Sequence, residues 1–513
     1  MRICSIALLG FCPALALAQQ GVWEEPPFNF GPSQEDRIMA IHLIHVHYFG
    51  TGKVVAITYE QAPNCISGRT RLWTPPPFGG PPGYSGVFAS IPNCRNWLFC
   101  AGHSALADGR ILTVGGHYSD EFPYADLFDP VASAWNAPSP PDDMEQGRWY
   151  PTATTLGDGT VLATSGTLGQ GGALVTVPEL YDPATNTWTQ LFSATLRQPL
   201  YPCMFVLPDG NLHDAGAGFE GDSRILVSSS STWTWGPELP DPTFPVIPAH
   251  MQPGYPGAAV MYEPDKVMKC GGQNVPHPTV ATTFVVDLKD ANPQQPPKWM
   301  VAGNMNFARK NHNLVILPDG NVLAVGGNTD GNGAGPVFAA EIFDPKSGKW
   351  SLQPPSDITQ PRMYHSTAIL LHDGRVVSAG GEGVRTAQIF RPPYITSEAP
   401  RPSITAYPAY MQYGQDYPIQ YLTNGANEAK QVCLIRLAST THGFDQDQRR
   451  VPLAITGSGQ VPTAPSPTYQ VVVKAPLNGN IAPPGYYMLF ILSEYKVNEF
   501  APCIEAKYVR VGP

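Results

Sequence analysis

The chain has 513 residues, of which 56 are Pro, 50 are Gly and only 14% are charged. This balance favours a turn-rich all-β protein, because Pro and Gly mark tight turns, and the 10% of aromatic residues exclude a disordered chain. The formal net charge of −10 excludes nucleic acid as an expected partner, since phosphate binding needs clustered Lys and Arg.

The N-terminus predicts a secretory signal peptide over residues 1–18. Arg2 precedes a short apolar stretch, and Ala16-Leu17-Ala18 gives the small-x-small pattern of a cleavage site. No later apolar run in the sequence is long enough to span a bilayer. We therefore expect an exported protein that has no membrane partner.

Seven cysteines follow residue 18, and an oxidising compartment favours disulfide bonds between them. Proximity and domain organisation predict three pairs, which are Cys65 with Cys94, Cys203 with Cys270, and Cys433 with Cys503. Because the count is odd, Cys100 is left over as a free thiol.

A turn followed by an apolar strand and small residues recurs along the chain. Clear copies are ADGRILTVGG, GDGTVLATSG, PDGNLHDAGA, PDGNVLAVGG and HDGRVVSAGG. The turn glycine or its equivalent falls 50 to 57 residues apart, at Gly52, Gly109, Gly159, Gly210, Lys266, Gly320 and Gly374. Seven units of this length are typical of a kelch-type propeller, in which each blade is a four-stranded antiparallel sheet. We therefore predict a seven-bladed kelch-type β-propeller over residues 19–400.

Beyond residue 400 the repeat gives way to a different strand pattern. Alternating apolar strands such as KQVCLIRLAST, YQVVVKAP and GYYMLFILS are separated by polar turns. Strands of this kind are typical of an immunoglobulin-like β-sandwich. Residues 401–513 are therefore expected to form a C-terminal sandwich domain.

The repeat phase predicts which residues share one position around the propeller axis. Nine residues before a turn glycine lie Cys100, Tyr150, Tyr201, Asn311 and His365, and Tyr364 is one residue earlier than His365. Because the innermost strands of all blades surround one axis, side chains at this position can approach one another. Phenols and imidazoles supply the O and N ligands that suit Cu(II); simple packing of the propeller channel is the alternative role for each side chain.

These residues lie in motifs that resemble the copper-radical oxidases, and glyoxal oxidase more than galactose oxidase. The motifs are NWLFCAGHSALADGR around Cys100, GRWYPTATTLGDGTVL around Tyr150, and RMYHSTAILLHDGRVVSAGG around Tyr364 and His365. In the C-terminal domain, STTHGFDQDQRRVPL supplies His442, and APPGYYMLFIL is a further family-like stretch. The resemblance covers essentially the whole chain after residue 18.

The resemblance implies a complete catalytic site. It joins Cys100 and Tyr150 by a self-generated thioether, which carries a tyrosyl radical. It makes Tyr150, His365 and His442 equatorial copper ligands and Tyr364 the axial ligand. Tyr364 is then the general base, and the radical on Tyr150 removes the carbon-bound hydrogen of the substrate.

The same resemblance implies the overall reaction. A secreted copper-radical oxidase of this kind oxidises small aldehydes or primary alcohols with O2, giving acids or aldehydes plus H2O2. Its partners are therefore a small aldehyde or alcohol and O2. A peroxidase that consumes H2O2 is a further candidate partner.

Other positions carry weaker signals. His45 and His47 share one face of the strand IHLIHVH, where structural histidines are favoured over a second metal site. Tyr201 is favoured as a wall of the pocket. Arg309 and Asn311 are favoured as a solvated rim over direct substrate contacts.

One feature of galactose oxidase has no counterpart at the expected place. That enzyme stacks a Trp over its thioether, but the segment TSGTLGQGGALVTVPELYD after Tyr150 contains no Trp. Trp23 and Trp97 are the candidate substitutes. The departure weakens the likeness to galactose oxidase itself.

Two other functions compete with the glyoxal oxidase-like one. A secreted kelch propeller could bind carbohydrate or protein without redox chemistry, but it would not need Cys100 free or a Tyr-His pair in phase with it. An oxidase that acts on the terminal sugars of a polysaccharide would use the same site. The loops between the blades decide the substrate, and a single sequence does not identify it.

Overall fold

The computed structural model describes residues 20–31, 38–48, 51–61, 68–117, 123–136, 140–216, 223–228, 232–239, 257–273, 278–289, 297–330, 333–355, 359–397, 399–461 and 468–513. Regular structure in these residues is almost entirely β-strand, with one 3-10 turn, Phe192–Ala194, and one helical turn, α1 (Pro393–Thr396). None of the helices in these ranges is long and apolar enough to cross a membrane. The signal peptide expected at residues 1–18 lies outside the described residues.

Up to residue 391, the described residues form seven antiparallel sheets, numbered here in chain order. After β1 (Val22–Trp23) and β2 (Phe28–Asn29), sheet 1 contains β3 (His42–Tyr48), β4 (Thr51–Gln61), β5 (Gly68–Thr74) and β6 (Val87–Ser90). Sheet 2 contains β7 (Gly102–Ala105), β8 (Ile111–Val114), β9 (Ala125–Asp129) and β10 (Ala134–Trp135). Sheet 3 contains β11 (Thr152–Thr155), β12 (Val161–Thr164), β13 (Glu179–Asp182) and β14 (Thr187–Gln190).

The remaining sheets of the propeller follow the same order. Sheet 4 contains β15 (Met204–Val206), β16 (Leu212–Asp214), β17 (Ser223–Ser228) and β18 (Trp233–Leu239). Sheet 5 contains β19 (Ala258–Glu263), β20 (Lys266–Cys270), β21 (Thr283–Asp287) and β22 (Met300–Val301). Sheet 6 contains β23 (Lys310–Ile316), β24 (Val322–Asp330), β25 (Ala334–Pro336), β26 (Glu341–Asp344) and β27 (Lys349–Leu352). Sheet 7 contains β28 (Ser366–Leu370), β29 (Val376–Gly380) and β30 (Thr386–Arg391).

The N-terminal strands complete sheet 7. β1 runs antiparallel to β30 with Trp23 opposite Phe390, and β2 pairs with the same strand at Phe28 and Ala387. The chain then continues from sheet 7 into β3 of sheet 1. This pairing joins the start of the repeat series to its end, as closure of a propeller requires.

The inner hairpins share one turn chemistry. In five copies an Asp side chain accepts a hydrogen bond of 2.9–3.1 Å from the peptide N–H two residues later, and the glycine between them has a φ of 86–93°. The copies are Asp108-Gly109, Asp158-Gly159, Asp209-Gly210, Asp319-Gly320 and Asp373-Gly374. Such a φ is strained for any residue with a Cβ, so the repeated Asp-Gly sets the turn between two buried strands.

Two further sheets form the C-terminal sandwich. Its strands are β31 (Ser403–Ala406), β32 (Tyr410–Gln412), β33 (Asp416–Leu422), β34 (Ala429–Arg436), β37 (Arg450–Leu453), β38 (Ile455–Gln460), β39 (Thr468–Lys474), β40 (Gly485–Lys496), β41 (Glu499–Pro502) and β42 (Lys507–Gly512). One sheet has the order β31-β33-β39-β38, and the other β32-β42-β40-β34-β37 with β41 beside β40. Sandwich residues such as Leu434 and Val451 share one apolar core with Val315 and Leu317 of the propeller. The prediction of an all-β propeller followed by a β-sandwich is confirmed.

A hairpin leaves the sandwich and joins the propeller. Its strands β35 (Ser439–Thr441) and β36 (Phe444–Asp445) extend sheet 1, because β35 pairs with β3 with Leu43 opposite Thr440. The two domains are therefore connected by backbone hydrogen bonds as well as by the shared core.

Buried ion pairs recur in sheets 3 and 6. Arg148 contacts Glu179 at 2.8 Å and Arg309 contacts Glu341 at 2.5 Å, and all four side chains are fully buried. The expectation that Arg309 and Asn311 form a solvated rim is therefore wrong, since Asn311 is also buried and donates to the side chain of Asn328. The charge of Arg309 satisfies a carboxylate inside its sheet and does not face solvent.

Two of the expected disulfide bonds are absent from the described residues. Cys203, Cys270, Cys433 and Cys503 are buried free thiols. Strand β19 lies between Cys203 and Cys270, and β40 lies between Cys433 and Cys503. Two strand spacings of about 4.8 Å exceed the ~7 Å Cα separation that a disulfide tolerates. Cys94 is disulfide-bonded, and its expected partner Cys65 lies outside the described residues.

Candidate metal centre

The residues predicted to share one position around the axis share one backbone conformation. The φ angles are 64° at Cys100, 64° at Tyr150, 49° at Tyr201, 55° at Asn311 and 65° at His365. A left-handed φ is uncommon outside glycine, so its repetition at the start of five inner strands marks a common structural position. We call these five residues the axial ring.

Backbone hydrogen bonds connect neighbouring members of the axial ring. The peptide N–H of Tyr201 donates to the carbonyl of Tyr150 at 2.9 Å, and that of Tyr150 donates to the carbonyl of Cys100 at 3.0 Å. The side chains of Cys100 and Tyr150 consequently enter one apolar cluster, together with Trp97 and Phe99. The thiol and the phenol therefore lie side by side on adjacent sheets.

Two phenols meet at this position. The hydroxyl groups of Tyr150 and Tyr364 are 2.6 Å apart and share a hydrogen bond. Burial raises the pKa of Tyr150 well above its usual range, with the neighbouring Cys100 and Tyr364 acting in the same direction. Burial likewise raises the pKa of the Cys100 thiol, against the opposing effect of Tyr150 and Trp149. Without a metal ion, both groups are neutral at pH 7.

Two imidazoles complete the cluster, and each is oriented through Nδ1. His365 bonds through Nδ1 to the Glu382 carboxylate at 2.7 Å, and His442 bonds through Nδ1 to the Thr441 hydroxyl at 2.7 Å. Because that hydroxyl donates to the carbonyl of Ile41, the proton of this bond lies on Nδ1. Their ring centroids are 4.8 Å apart, and that of His442 is 4.7 Å from the Tyr150 ring. Burial, followed by the nearby His365, lowers the pKa of His442 well below its usual range. Its Nε2 therefore keeps a lone pair at neutral pH.

The turn between β35 and β36 carries His442 to the axis. His442 has a φ of 49° and Gly443 a φ of 80°. A Cβ on Gly443 would lie 2.6 Å from the carbonyl oxygen of His312, so only glycine allows this close approach to the inner strand β23. The His-Gly pair thus brings the imidazole of the sandwich against the phenols of the propeller.

The donor set fits a copper ion. Among the described residues, the Nε2 atoms of His365 and His442 are buried and have no hydrogen-bond partner. In the same ranges no group of three His, Cys, Asp or Glu side chains could hold a metal ion, so a metal here needs the phenols as well. Two imidazole nitrogens and the phenol oxygens of Tyr150 and Tyr364 form an N and O set that suits Cu(II).

Several neighbours were not singled out from the sequence. Trp149 has its ring centroid 3.9 Å from that of Tyr150. The repeat phase could have found it, because it precedes Tyr150 as Tyr364 precedes His365. Glu382 and Thr441, which bond the two histidines, have no sequence signal that separates them from other polar residues beside a ligand.

The remaining candidates have clear places. Tyr201 donates its hydroxyl to the carbonyl of Ala101 at 3.0 Å, and its ring lies 4.8 Å from that of His442. Trp97 is in the apolar cluster of Cys100, whereas Trp23 packs on Phe390 at the outer edge of sheet 7.

His45 and His47 make structural contacts with the sandwich. His45 bonds through Nε2 to the hydroxyl of Tyr508 at 2.9 Å, and His47 stacks on Tyr486 at 4.3 Å. The structural interpretation of both histidines is therefore supported.

A propeller axis that pairs an oxidisable phenol with a copper-binding set defines the class of copper-radical oxidases. Comparison with known proteins agrees with this class. The family model described as "Glyoxal oxidase N-terminus" matches residues 94–397, and "Galactose oxidase-like, Early set domain" matches residues 401–505. The chain belongs to the glyoxal oxidase family of copper-radical oxidases.

Individual relatives are also named as oxidases. Galactose oxidase of Gibberella zeae is 30% identical over 483 residues, which are 85% of this chain and 67% of the relative. Aldehyde oxidase GLOX of Vitis pseudoreticulata is 28% identical over 463 residues, covering 81% of this chain and 82% of the relative. A solved fungal alcohol oxidase of the AA5 family, in complex with copper, shares the fold with a TM-score of 0.77 and 24% identity, over 96% of this chain and 100% of that chain.

Proposed function

We propose that this copper-radical oxidase acts on small aldehydes or primary alcohols, which it oxidises with O2 to acids or aldehydes plus H2O2. The observation that carries the proposal is the pair of buried, unpartnered Nε2 atoms of His365 and His442 beside two hydrogen-bonded phenols in the described structure. The names of its relatives, galactose oxidase and aldehyde oxidase, support carbonyl and alcohol substrates.

The ligand roles are those implied by the resemblance to the copper-radical oxidases, and the donor set supports them. We propose that Tyr150, Tyr364, His365 and His442 would hold the Cu(II) ion. Cys100 and Tyr150 are proposed to form a thioether: the S–H of Cys100 and one ring C–H of Tyr150 are lost, a C–S bond forms, and two electrons and two protons reduce O2 to H2O2. Sulfur on the ring then makes the phenol easier to oxidise.

Catalysis is divided between the two tyrosines. Tyr364 is proposed to accept the proton of the substrate hydroxyl, for which a bound cation would hold it as a phenolate, and its oxygen lies 2.6 Å from that of Tyr150 at the centre of the site. The radical form of Tyr150 removes the hydrogen atom from the adjacent carbon. A bound Cu(II) ion would supply the second one-electron acceptor and would bind the substrate oxygen. An aldehyde reacts as its gem-diol and yields a carboxylic acid.

Organisation and location form part of the proposal. Residues 1–18 direct export, residues 19–400 form the propeller and residues 401–513 the sandwich. The family boundary between residues 397 and 401 supports this division. Extracellular H2O2 would then be available to a peroxidase.

Mass spectrometry tests the proposal directly. The chain is expressed without copper and exposed to Cu(II) and O2, and the peptides that contain Cys100 and Tyr150 are measured. We expect one cross-linked species lighter by two hydrogens, which is lost in Cys100→Ser, together with H2O2 release from aldehydes. Two separate unmodified peptides despite bound copper would contradict the radical mechanism and favour a non-catalytic propeller.

A further inference from the structure

The hydrogen bonding of the axial ring changes at Cys100. Tyr201 and Tyr150 each donate their peptide N–H to the backbone carbonyl of the axial-ring residue on the preceding sheet. Sheet 1 offers Cys100 no such residue, because β3 runs extended through this position and pairs there with β35. The N–H of Cys100 donates instead to Nε2 of His42, at 3.2 Å.

This bond fixes the proton of His42 and starts a directed chain. Since Nε2 of His42 accepts, its proton is on Nδ1, which donates to Nε2 of His103 at 3.0 Å. The proton of His103 is then on Nδ1, which donates to the hydroxyl of Ser439 at 2.5 Å. Ser439 donates to the backbone carbonyl of His103 at 3.1 Å. Each ring nitrogen along this path has one role, as a donor or as an acceptor.

This path of hydrogen bonds is buried and connects Cys100 with the hairpin that carries His442. His42, His103 and Ser439 are fully buried. Ser439 begins strand β35, whose turn carries His442, and Cys100 is the thiol beside Tyr150. Burial lowers the pKa of His42 well below its usual range and that of His103 to about 3, so both rings are neutral, as the donor pattern requires.

We infer that His42 and His103 are positioning residues that hold the Cys100 thiol against Tyr150 while the thioether forms, and that they link this step to the seating of the hairpin that carries His442. The inference rests on the proposed function. Cys100 has a left-handed φ of 64°, and its buried peptide N–H needs an acceptor for the residue to keep this backbone conformation. A shift of about 1 Å between reacting atoms can cost about 10²-fold in rate.

Side-chain length at position 42 provides the test. In His42→Gln, the amide oxygen can reach the place of Nε2 and accept from Cys100. In His42→Asn, the amide reaches only the place of Nδ1, so the bond toward His103 can remain while the acceptor for Cys100 is lost. His45→Asn is the matched control, because His45 is buried on the same strand but bonds to Tyr508.

The readout is the rate of thioether formation after Cu(II) and O2 are added, followed by intact mass. We expect His42→Asn to slow it about 10- to 100-fold, His42→Gln to keep most of the rate, and His45→Asn to match the wild type. Ser439→Ala should also slow it; a wild-type rate there would overturn the link to the hairpin. If the wild type cross-links and His42→Asn does so equally fast, the positioning role is overturned while the proposed function stands. If the wild type itself does not cross-link, the proposed function fails.

Discussion

The hydroxyl of Thr441 should determine how well His442 binds copper. It accepts the Nδ1 proton of His442 at 2.7 Å and donates to the carbonyl of Ile41 at 3.2 Å. The imidazole is therefore held with its proton on Nδ1 and its Nε2 lone pair toward the phenols. In Thr441→Val the shape is kept, but Nδ1 is left without its acceptor, and the tautomer with a proton on Nε2 becomes competitive.

The expected loss follows from the role of such supporting bonds. Removing the partner of a ligating histidine costs about 10- to 100-fold in metal affinity, which corresponds to about 1.4 to 2.8 kcal/mol. Cu(II) affinity is measured by competition with a chelator. Thr441→Ser should retain most of the affinity because it keeps the hydroxyl. Thr440→Val is the matched control, since in the described structure the hydroxyl of Thr440 is buried without a hydrogen-bond partner. Equal affinities for Thr441→Val and Thr440→Val would refute the reasoning.

Three further predictions concern stability and thiols. Glu179→Gln leaves Arg148 as an unpaired buried charge and should lower the free energy of unfolding, measured in urea, by about 3–5 kcal/mol. The double variant Arg148→Met with Glu179→Leu removes both charges and should lose less stability. A larger loss of stability in the double variant would contradict this reasoning. The hydrogen bond with His372, then Lys507, lowers the pKa of Glu505 to about 2, so its contribution is present above the unfolded pKa of about 4.3 and is lost as the pH falls toward 2. The urea midpoints of Glu505→Gln and the wild type should therefore differ at pH 6 and converge at pH 2; a constant gap would exclude this origin. Alkylation of the denatured, unreduced chain should label Cys203, Cys270, Cys433 and Cys503. If any of these cysteines is not labelled, the disulfide that the sequence predicted for it is present after all.

The periodic part of the molecule could be predicted because one local signal repeats. The Asp-Gly turn sets the phase, and counting nine residues back from each glycine led to Cys100, Tyr150 and His365. The structure gives all three the same left-handed φ and brings them to one axis. Phase is a property of sequence spacing, so no knowledge of long-range contacts was needed for these residues.

Long-range pairings could not be predicted from spacing. The motif IHLIHVH drew attention to His45 and His47, whose alternation is visible, but the histidine that bonds to Cys100 is His42. Its role depends on the pairing of β3 with β35, about 400 residues away in the sequence, where His42 lies opposite Thr441. Two of the three predicted disulfides failed for the same reason, since proximity in sequence does not show which strand lies between two cysteines.

The C-terminal domain is also part of the propeller's core, which explains how a loop residue, His442, can be placed precisely as a proposed metal ligand. Directly after the hairpin, residues 446–449 bond the inner strands of sheets 2, 3, 4 and 6. These contacts are Gln446 with His103 and Ala153, Asp447 with Ala105, Gln448 with Ile316, and Arg449 with Val206. Each contact satisfies a peptide group that faces the axis and would otherwise be buried without a partner. The position of His442 is therefore set by closure of the whole propeller, and the sandwich cannot dock correctly without bringing the imidazole to the phenols.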